Sequence, residues 1–261
     1  MMTLDEGGWR RSTVRVFAAP PALRDLIELI WVDEWSEDET RSRQFRIVAD
    51  DAAHLLWFLG GDEGRRTERV AIVGARSRYH DADLSGRRLL IGARLLPGAL
   101  PLLTKAPAFP FTDRAVPLTE IAASASRALE HLRPRSGDEG VQQLSEVLDR
   151  MRGRGRHLDP FAVWIASLSR SEMPSVSEVA RVFDVSPRAI RSWSATTFGM
   201  GLKRLLTIRR LHAALELRLS ATLGTWSQVA AAAGYADQSH LIRECRALLG
   251  ESPTAFIARG G

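Results

Sequence analysis

Two clusters in the last ninety residues carry side chains suited to reading the edges of nucleic-acid bases. Arg188, Arg191 and Ser192 fall on the polar side of one helical pattern. Gln238, Ser239 and Arg243 fall on the polar side of another. Arginine presents a bidentate fork to guanine and glutamine a matching pair to adenine, so these types at helical spacing point to major-groove contacts. Ile190 and Trp193 in the first pattern face inward, as do Leu241, Cys245 and Leu248 in the second, with Ile242 partly outward. Phosphate contacts are expected from the helix starts at Ser175 and Thr225 and from Arg204 and Arg246, because helix N-termini and guanidinium groups both favour anions.

The elements that must position these residues form an internal repeat. Ser175-Val176-Ser177-Glu178-Val179-Ala180 and Thr225-Trp226-Ser227-Gln228-Val229-Ala230 are the same capping box, 50 residues apart. In each, a hydroxyl residue precedes Glu or Gln by three positions. A turn follows each: Asp184-Val185-Ser186-Pro187, then Gly234-Tyr235-Ala236-Asp237 with one extra residue. Beyond it the offset is 51, matching Ile190 to Leu241 and Gly199 to Gly250. Small residues, Ala180 and Ala230, stand where the paired helices cross. Leu202 to Leu219 reads as one long helix joining the copies, with Leu205, Ile208, Leu211, Leu215 and Leu219 on one stripe. Arg204, Arg209, Arg210 and Arg218 lie on its other faces. Helix, tight turn, helix, twice over, is the arrangement that lays a second helix in the major groove.

Gly234-Tyr235-Ala236-Asp237-Gln238-Ser239-His240-Leu241, followed by Arg243, Gly250 and Ser252-Pro253-Thr254-Ala255-Phe256, closely resembles the C-terminal signature of the AraC/XylS family of bacterial transcription regulators. The likeness runs from about Ser175 to Ile257. It implies two helix-turn-helix units that read adjacent major-groove segments from one monomer, about one helical turn apart. It also implies base contacts from Arg188, Arg191, Ser192, Gln238, Ser239, His240 and Arg243. The chain departs from the family at three places: Ser192 stands for a usual Arg, Ser194 for an aromatic and Cys245 for a Phe. Two readings follow: the first unit is a weaker reader, or Arg191 takes over the contact missing at Ser192; and the helix is loosened at Ser194, or Trp193 and Phe198 compensate for the lost aromatic. Cys245 reads as a buried small hydrophobe or as a reactive thiol.

The first part of the chain reads as β-rich. Strand-like runs occur at 26–35, 45–48, 54–59, 70–73 and 89–96, punctuated by Gly and Pro. They predict a barrel or sandwich and an α+β fold class overall. Helical patterns follow from Thr119 to Leu132, from Asp138 to Arg150 and from Pro160 to Ser169. The expected division is a cupin-like sensor or dimerisation domain at 1–117, a helical linker at 118–170 and the double helix-turn-helix at 171–261. Several segments, among them Gly92-Ala93-Arg94-Leu95-Leu96-Pro97-Gly98-Ala99, also resemble the β-barrel sensor domains of some of these regulators, which bind an effector, dimerise or do both. Trp31, Trp35 and Trp57, with Arg94 to hold an anionic or carbonyl group, are the candidate effector pocket. The competing reading makes the tryptophans ordinary core and Arg94 a surface residue.

Composition narrows the classes further. The 261 residues are 45% hydrophobic and 26% charged, which excludes a disordered or fibrous chain. No apolar run reaches the ~20 residues of a bilayer span. Residues 1–15 show no apolar signal segment, and the single cysteine fits a reducing cytoplasm. Residues 171–261 hold 11 basic and 7 acidic residues, so most of the net charge of +5 lies in the last third. Arginine outnumbers lysine 34 to 2, a bias that genome composition produces as readily as a binding surface does. The six histidines do not pair at ligand spacing. His80-Asp81-Ala82-Asp83 comes nearest to a metal site and reads as a polar loop. No nucleophile elbow or phosphate-binding loop is present. The expectation is therefore no catalytic residue, no metal and no cofactor. The expected partners are double-stranded DNA, a small-molecule effector, RNA polymerase and a second copy of the chain, and no membrane. The alternative reading is a ligand-binding or protein-interaction module whose DNA-binding domain is degenerate.

Overall fold

The structure is a computed structural model and describes residues 14–34, 44–60, 67–83, 87–152, 157–168, 173–220 and 224–260. Trp35, the start of the chain at 1–13, the basic turn at 153–156 and the linker residues 171–172 lie outside the described residues.

The strands are β1 (Arg15–Ala18), β2 (Ile27–Glu34), β3 (Gln44–Ile47), β4 (His54–Gly60), β5 (Thr67–Val73), β6 (His80–Asp83), β7 (Arg87–Leu95) and β8 (Ala115–Pro117). Six of them form one antiparallel sheet in the order β1-β2-β7-β4-β5-β8, and β3 pairs with β6 as a separate ribbon. The sheet begins at β1 and ends at β8, so the β-rich domain is open rather than a closed barrel. The motif at His80 is a strand and not a loop, because Asp81 lies opposite Arg46 and accepts two hydrogen bonds from its guanidinium, at 2.8 and 3.1 Å.

Alternation along the strands gives the sheet two apolar faces. Ile30, Val32, Leu55, Trp57, Ile72, Ile91 and Ala93 enter the larger core. Leu29, Trp31, Leu56, Val73 and Leu90 form a smaller cluster on the opposite face. Trp31 lies across Gly92, its cross-strand partner, where a Cβ would come within 2.2 Å of the indole.

The helices are α1 (Leu100–Thr104), α2 (Leu118–Ile121), α3 (Ala123–Glu130), α4 (Gly137–Arg152), α5 (Pro160–Ser167), α6 (Val176–Val182), α7 (Pro187–Phe198), α8 (Leu202–Leu219), α9 (Trp226–Ala232), α10 (Gln238–Leu249) and α11 (Pro253–Gly260). The helix expected from Thr119 divides at Ala122, whose φ of −146° and ψ of 73° leave the helical region. Packing also divides the segment expected as one helical linker. Leu129 of α3 and Leu144, Val147 and Leu148 of α4 complete the core under the sheet. Phe161, Ala162 and Ile165 of α5 join the core of the C-terminal helices instead.

In that second core, Phe161 meets Phe183, Trp193 and Phe198 at ring separations of 5.3, 4.6 and 5.4 Å. Ser194, on the same helix as Trp193 and Phe198, is fully buried and donates its hydroxyl to the Met200 carbonyl at 2.7 Å. The polar residue is thus satisfied rather than a defect. Cys245 is also fully buried. Burial, with the adjacent Glu244 carboxylate, pushes its thiol pKa up to about 12, so it packs as a hydrophobe.

Two outcomes follow from this packing. Gly92→Ala drives a methyl into the Trp31 ring and should lower stability by about 1–3 kcal/mol in urea unfolding, and wild-type stability would refute the assigned contact. Iodoacetamide at pH 8 should leave Cys245 unmodified in the folded chain and alkylate it after unfolding, as read by mass; rapid labelling of the folded chain would place the thiol at an accessible site.

Candidate nucleic-acid interface

The two helix-turn-helix copies are built by the same backbone bonds. Ser175 Oγ accepts from the Glu178 N–H, while the Glu178 carboxylate accepts from the Ser175 N–H. Thr225 and Gln228 repeat the arrangement. After α6, the Val185 N–H donates to the Ala180 carbonyl at 3.0 Å; after α9, the Tyr235 N–H donates to the Ala230 carbonyl at 2.9 Å. Each turn needs one residue with a positive φ. Gly234 supplies it in the second copy (φ 73°) and Asp184 in the first (φ 50°), Asp being among the few side chains that tolerate it. Ser186 and Asp237 then cap α7 and α10 by accepting from the Ala189 and His240 N–H groups.

This scaffold leaves the N-terminal halves of α7 and α10 open. Arg188, Arg191 and Ser192 are exposed on α7, and Gln238, Ser239, Arg243 and Arg246 on α10. His240 is half-buried, edge-on to the Tyr235 ring at 5.1 Å and with Nε2 3.4 Å from Glu244. Ser175 and Thr225 are exposed at their caps, and the Thr225 hydroxyl also reaches Gln228 Oε1 at 3.1 Å. Arg204 does not stand with the free cations, because its Nε donates to the Ser77 carbonyl at 2.7 Å.

The opposite, C-terminal ends of both helices meet the N-terminal domain. The Ala108 N–H donates to the Thr196 carbonyl at 2.7 Å, and Thr112 Oγ1 to the Gly199 carbonyl at 2.5 Å. On α10 the Ala49 N–H donates to the Leu248 carbonyl at 3.2 Å. Gly250 lies so close to Tyr79 and Arg46 that a Cβ would come within 3.0 Å of both. Between these points, α8 is fixed by a buried ion network. Arg209 donates to Asp51 Oδ2 at 3.1 Å and Arg94 to Asp51 Oδ1 at 2.9 Å. Arg94 also reaches Asp50 at 2.5 Å and ion-pairs with Glu28, while His54 meets Asp50 at 2.9 Å. His212 is bonded to the Ala49 carbonyl at 2.9 Å.

Burial disfavours the charged form of Asp50, but the hydrogen bond and charge of His54, with help from His212 and the Ala52 N–H, hold its pKa below the usual carboxylate range. Asp50, Asp51 and His212 approach one another closely enough to share a metal ion. Here the guanidinium groups of Arg94 and Arg209 already neutralise the carboxylates, a poor setting for a further cation.

The candidate effector pocket is not gathered into one place. Trp57 points into the core under the sheet and Trp31 into the cluster on the other face. Arg94 is neither a surface residue nor free for a ligand, being 9% exposed and committed to its carboxylates. A cleft of about 430 Å³ opens elsewhere, walled by Leu103, Ile121, Val147 and Met151 with Lys105 and Arg150 among its lining. The interdomain network escaped sequence reasoning because its members are some 160 positions apart. Its one visible signal was Arg209, which lies among the apolar residues of α8 rather than on an outward face.

Residues 179–259 match a family described as "Helix-turn-helix domain", and residues 15–117 a domain of unknown function, DUF6597. No curated protein matches the chain. Among solved structures, apo ToxT from Vibrio cholerae superposes with a TM-score of 0.48 at 10% identity, covering 98% of this chain and 100% of that one. ToxT bound to (E)-4-(8-methylnaphthalen-1-yl)but-3-enoic acid gives 0.48 at 10%, with 96% and 100% covered. The transcriptional regulator CdpR from Pseudomonas aeruginosa gives 0.32 at 16%, with 66% and 46% covered. The duplicated caps and turns, the signature around Gly234 and the family match coincide: the C-terminal third of the chain is a helix-turn-helix domain of the AraC type, carried behind a β-rich N-terminal domain.

Proposed function

We propose that the chain is a sequence-specific transcription regulator in which α7 and α10 each read one short DNA box. The observation that supports this reading best is the polarity of the duplicated unit. Both second helices bury their C-terminal ends and expose Arg, Gln and Ser at their N-terminal halves, the part that such helices insert into the major groove. Arg188, Arg191, Ser192, Gln238, Ser239 and Arg243 are the base-reading residues, and half-buried His240 contributes from the edge of that set. Arg246 and the caps at Ser175 and Thr225 serve the phosphates. Arg204 retains only its Nη donors for that purpose.

The N-terminal domain is the regulatory part in this reading. A small-molecule effector has room in the cleft between α1, α3 and α4, where apolar walls and two cationic side chains suit an amphipathic anion. RNA polymerase and a second copy of the chain are the further partners the reading brings in. It makes the protein a cytoplasmic binding protein and not an enzyme. Buried Ser194 is hydrogen-bonded, which argues against a degenerate first unit.

Selection of genomic fragments by the full chain at ~150 mM salt should enrich discrete sites with two short boxes. Weak binding that is blind to sequence and vanishes with salt would refute the reading. On an enriched site, Arg243→Ala should cost about 1–3 kcal/mol and relax preference at one base pair. A uniform loss over all sequences would reduce Arg243 to a phosphate contact.

A further inference from the structure

The contacts between the two domains fall at the places that determine how the recognition helices stand relative to each other. Thr112 and Ala108 hold the C-terminal end of α7 through the Gly199 and Thr196 carbonyls. Ala49 holds the end of α10 through the Leu248 carbonyl. Asp51 holds the middle of α8 through Arg209, both residues being buried, at 5% and 7% exposure. None of these contacts touches the exposed N-terminal halves of α7 and α10. The N-terminal domain therefore grips the DNA-reading unit from behind, at the ends of α7 and α10 and along α8, where His212 and Arg204 add bonds to the Ala49 and Ser77 carbonyls, without covering the base-reading residues.

A two-headed reader joined only by α8 has one connection through which to set the separation and twist of its heads. Here both heads are also bonded to a common frame, the ribbon and loops of the N-terminal domain. We propose that Thr112 and Asp51 are positioning residues for DNA recognition, through which the N-terminal domain fixes the spacing and helical phase of the two boxes that the chain accepts. The inference rests on the reading of α7 and α10 as the two recognition helices. Its physical basis is geometric: one inserted base pair moves the second box by about 3.4 Å along the axis and rotates it by about 35°. A frame bonded to both helix ends resists that displacement, whereas a single tethering helix yields to it.

The test is selection by the full chain from a library in which the two boxes are kept and their separation varies. Wild-type protein should prefer one separation and lose at least about tenfold in affinity at one base pair more or less, comparable to a base mismatch. Thr112→Val removes the donor to Gly199 at nearly constant volume. It should bind the optimal separation as wild type does and lose no more than about threefold at the neighbouring separations, since one of the bonds from the frame to a helix end is then gone. Thr112→Ser, which retains the hydroxyl, should restore the narrow preference. Asp51→Asn should broaden the preference in the same way as Thr112→Val. A Thr112→Val chain of wild-type melting temperature that keeps the narrow preference overturns the proposal. So does a loss, or a gain, that is equal at every separation, since the hydrogen bond would then be structural or inhibitory. If wild-type protein enriches no box at any separation, the reading of the recognition helices fails, an outcome distinct from narrow spacing that the variants do not change.

Discussion

Asp51 divides its carboxylate between two guanidinium groups, Arg94 from the sheet and Arg209 from the helix that joins the two DNA-reading units. A carboxylate this deeply buried needs such partners, and removing one partner from a buried pair typically costs about 3–5 kcal/mol. The neighbouring groups serve the same balance. Glu28 and Asp50 offset Arg94, and His54 supports Asp50. The strands β2, β4 and β7 must therefore lie in register for Arg94 to reach its partners, and α8 must face the sheet with Arg209 and His212 turned towards residues 49–51. A charge arrangement this specific fixes how the two domains meet, whereas apolar contact alone tolerates sliding.

Around that junction the same supersecondary unit is used twice with different fillings. The backbone bonds of α6–α7 and α9–α10 correspond turn for turn. The first unit is packed with aromatic rings from α5, α7 and Phe183 at the end of α6; the second with Leu241, Cys245, Leu248 and Phe256. Cap and turn chemistry set the shape of the unit, and the core needs only to fill the volume in low-energy conformations. For this reason Ser194 and Cys245 stand in place of larger residues without disturbing the helices that carry them.

The local chemistry of the C-terminal third was legible in the sequence because its signals are short-range. The capping boxes at Ser175 and Thr225 and the glycine stops at Gly199 and Gly250 all appear as read. The apolar stripe from Leu202 to Leu219 coincides with the bounds of α8. In the N-terminal domain, strands with strong apolar content were visible, while β1, β6 and β8 were not. Those three are short, and β1 and β8 lie at the sheet edges, where apolar patterning weakens. The pocket drawn from Trp31, Trp57 and Arg94 failed for a different reason. Residue type does not report which face of a strand a side chain takes once a bulge, such as the one between Ile27 and Leu29, shifts the register. Pairings between residues 50 and 209 lie beyond any periodicity.

The apolar core of the C-terminal helices does not stop at the domain boundary. Val48, Ala49 and Ala75 from the N-terminal domain are buried in the same cluster as Leu205 and Leu248. Domains that share a continuous core lose each other's support when either opens, so they unfold as one cooperative unit rather than in sequence. A single transition on heating the intact chain is the outcome this shared core leads one to expect. A C-terminal fragment cut free of its frame would leave Arg209 buried without its carboxylate and uncover the part of the core that Val48, Ala49 and Ala75 close, so lost stability is the expected cost of the separation.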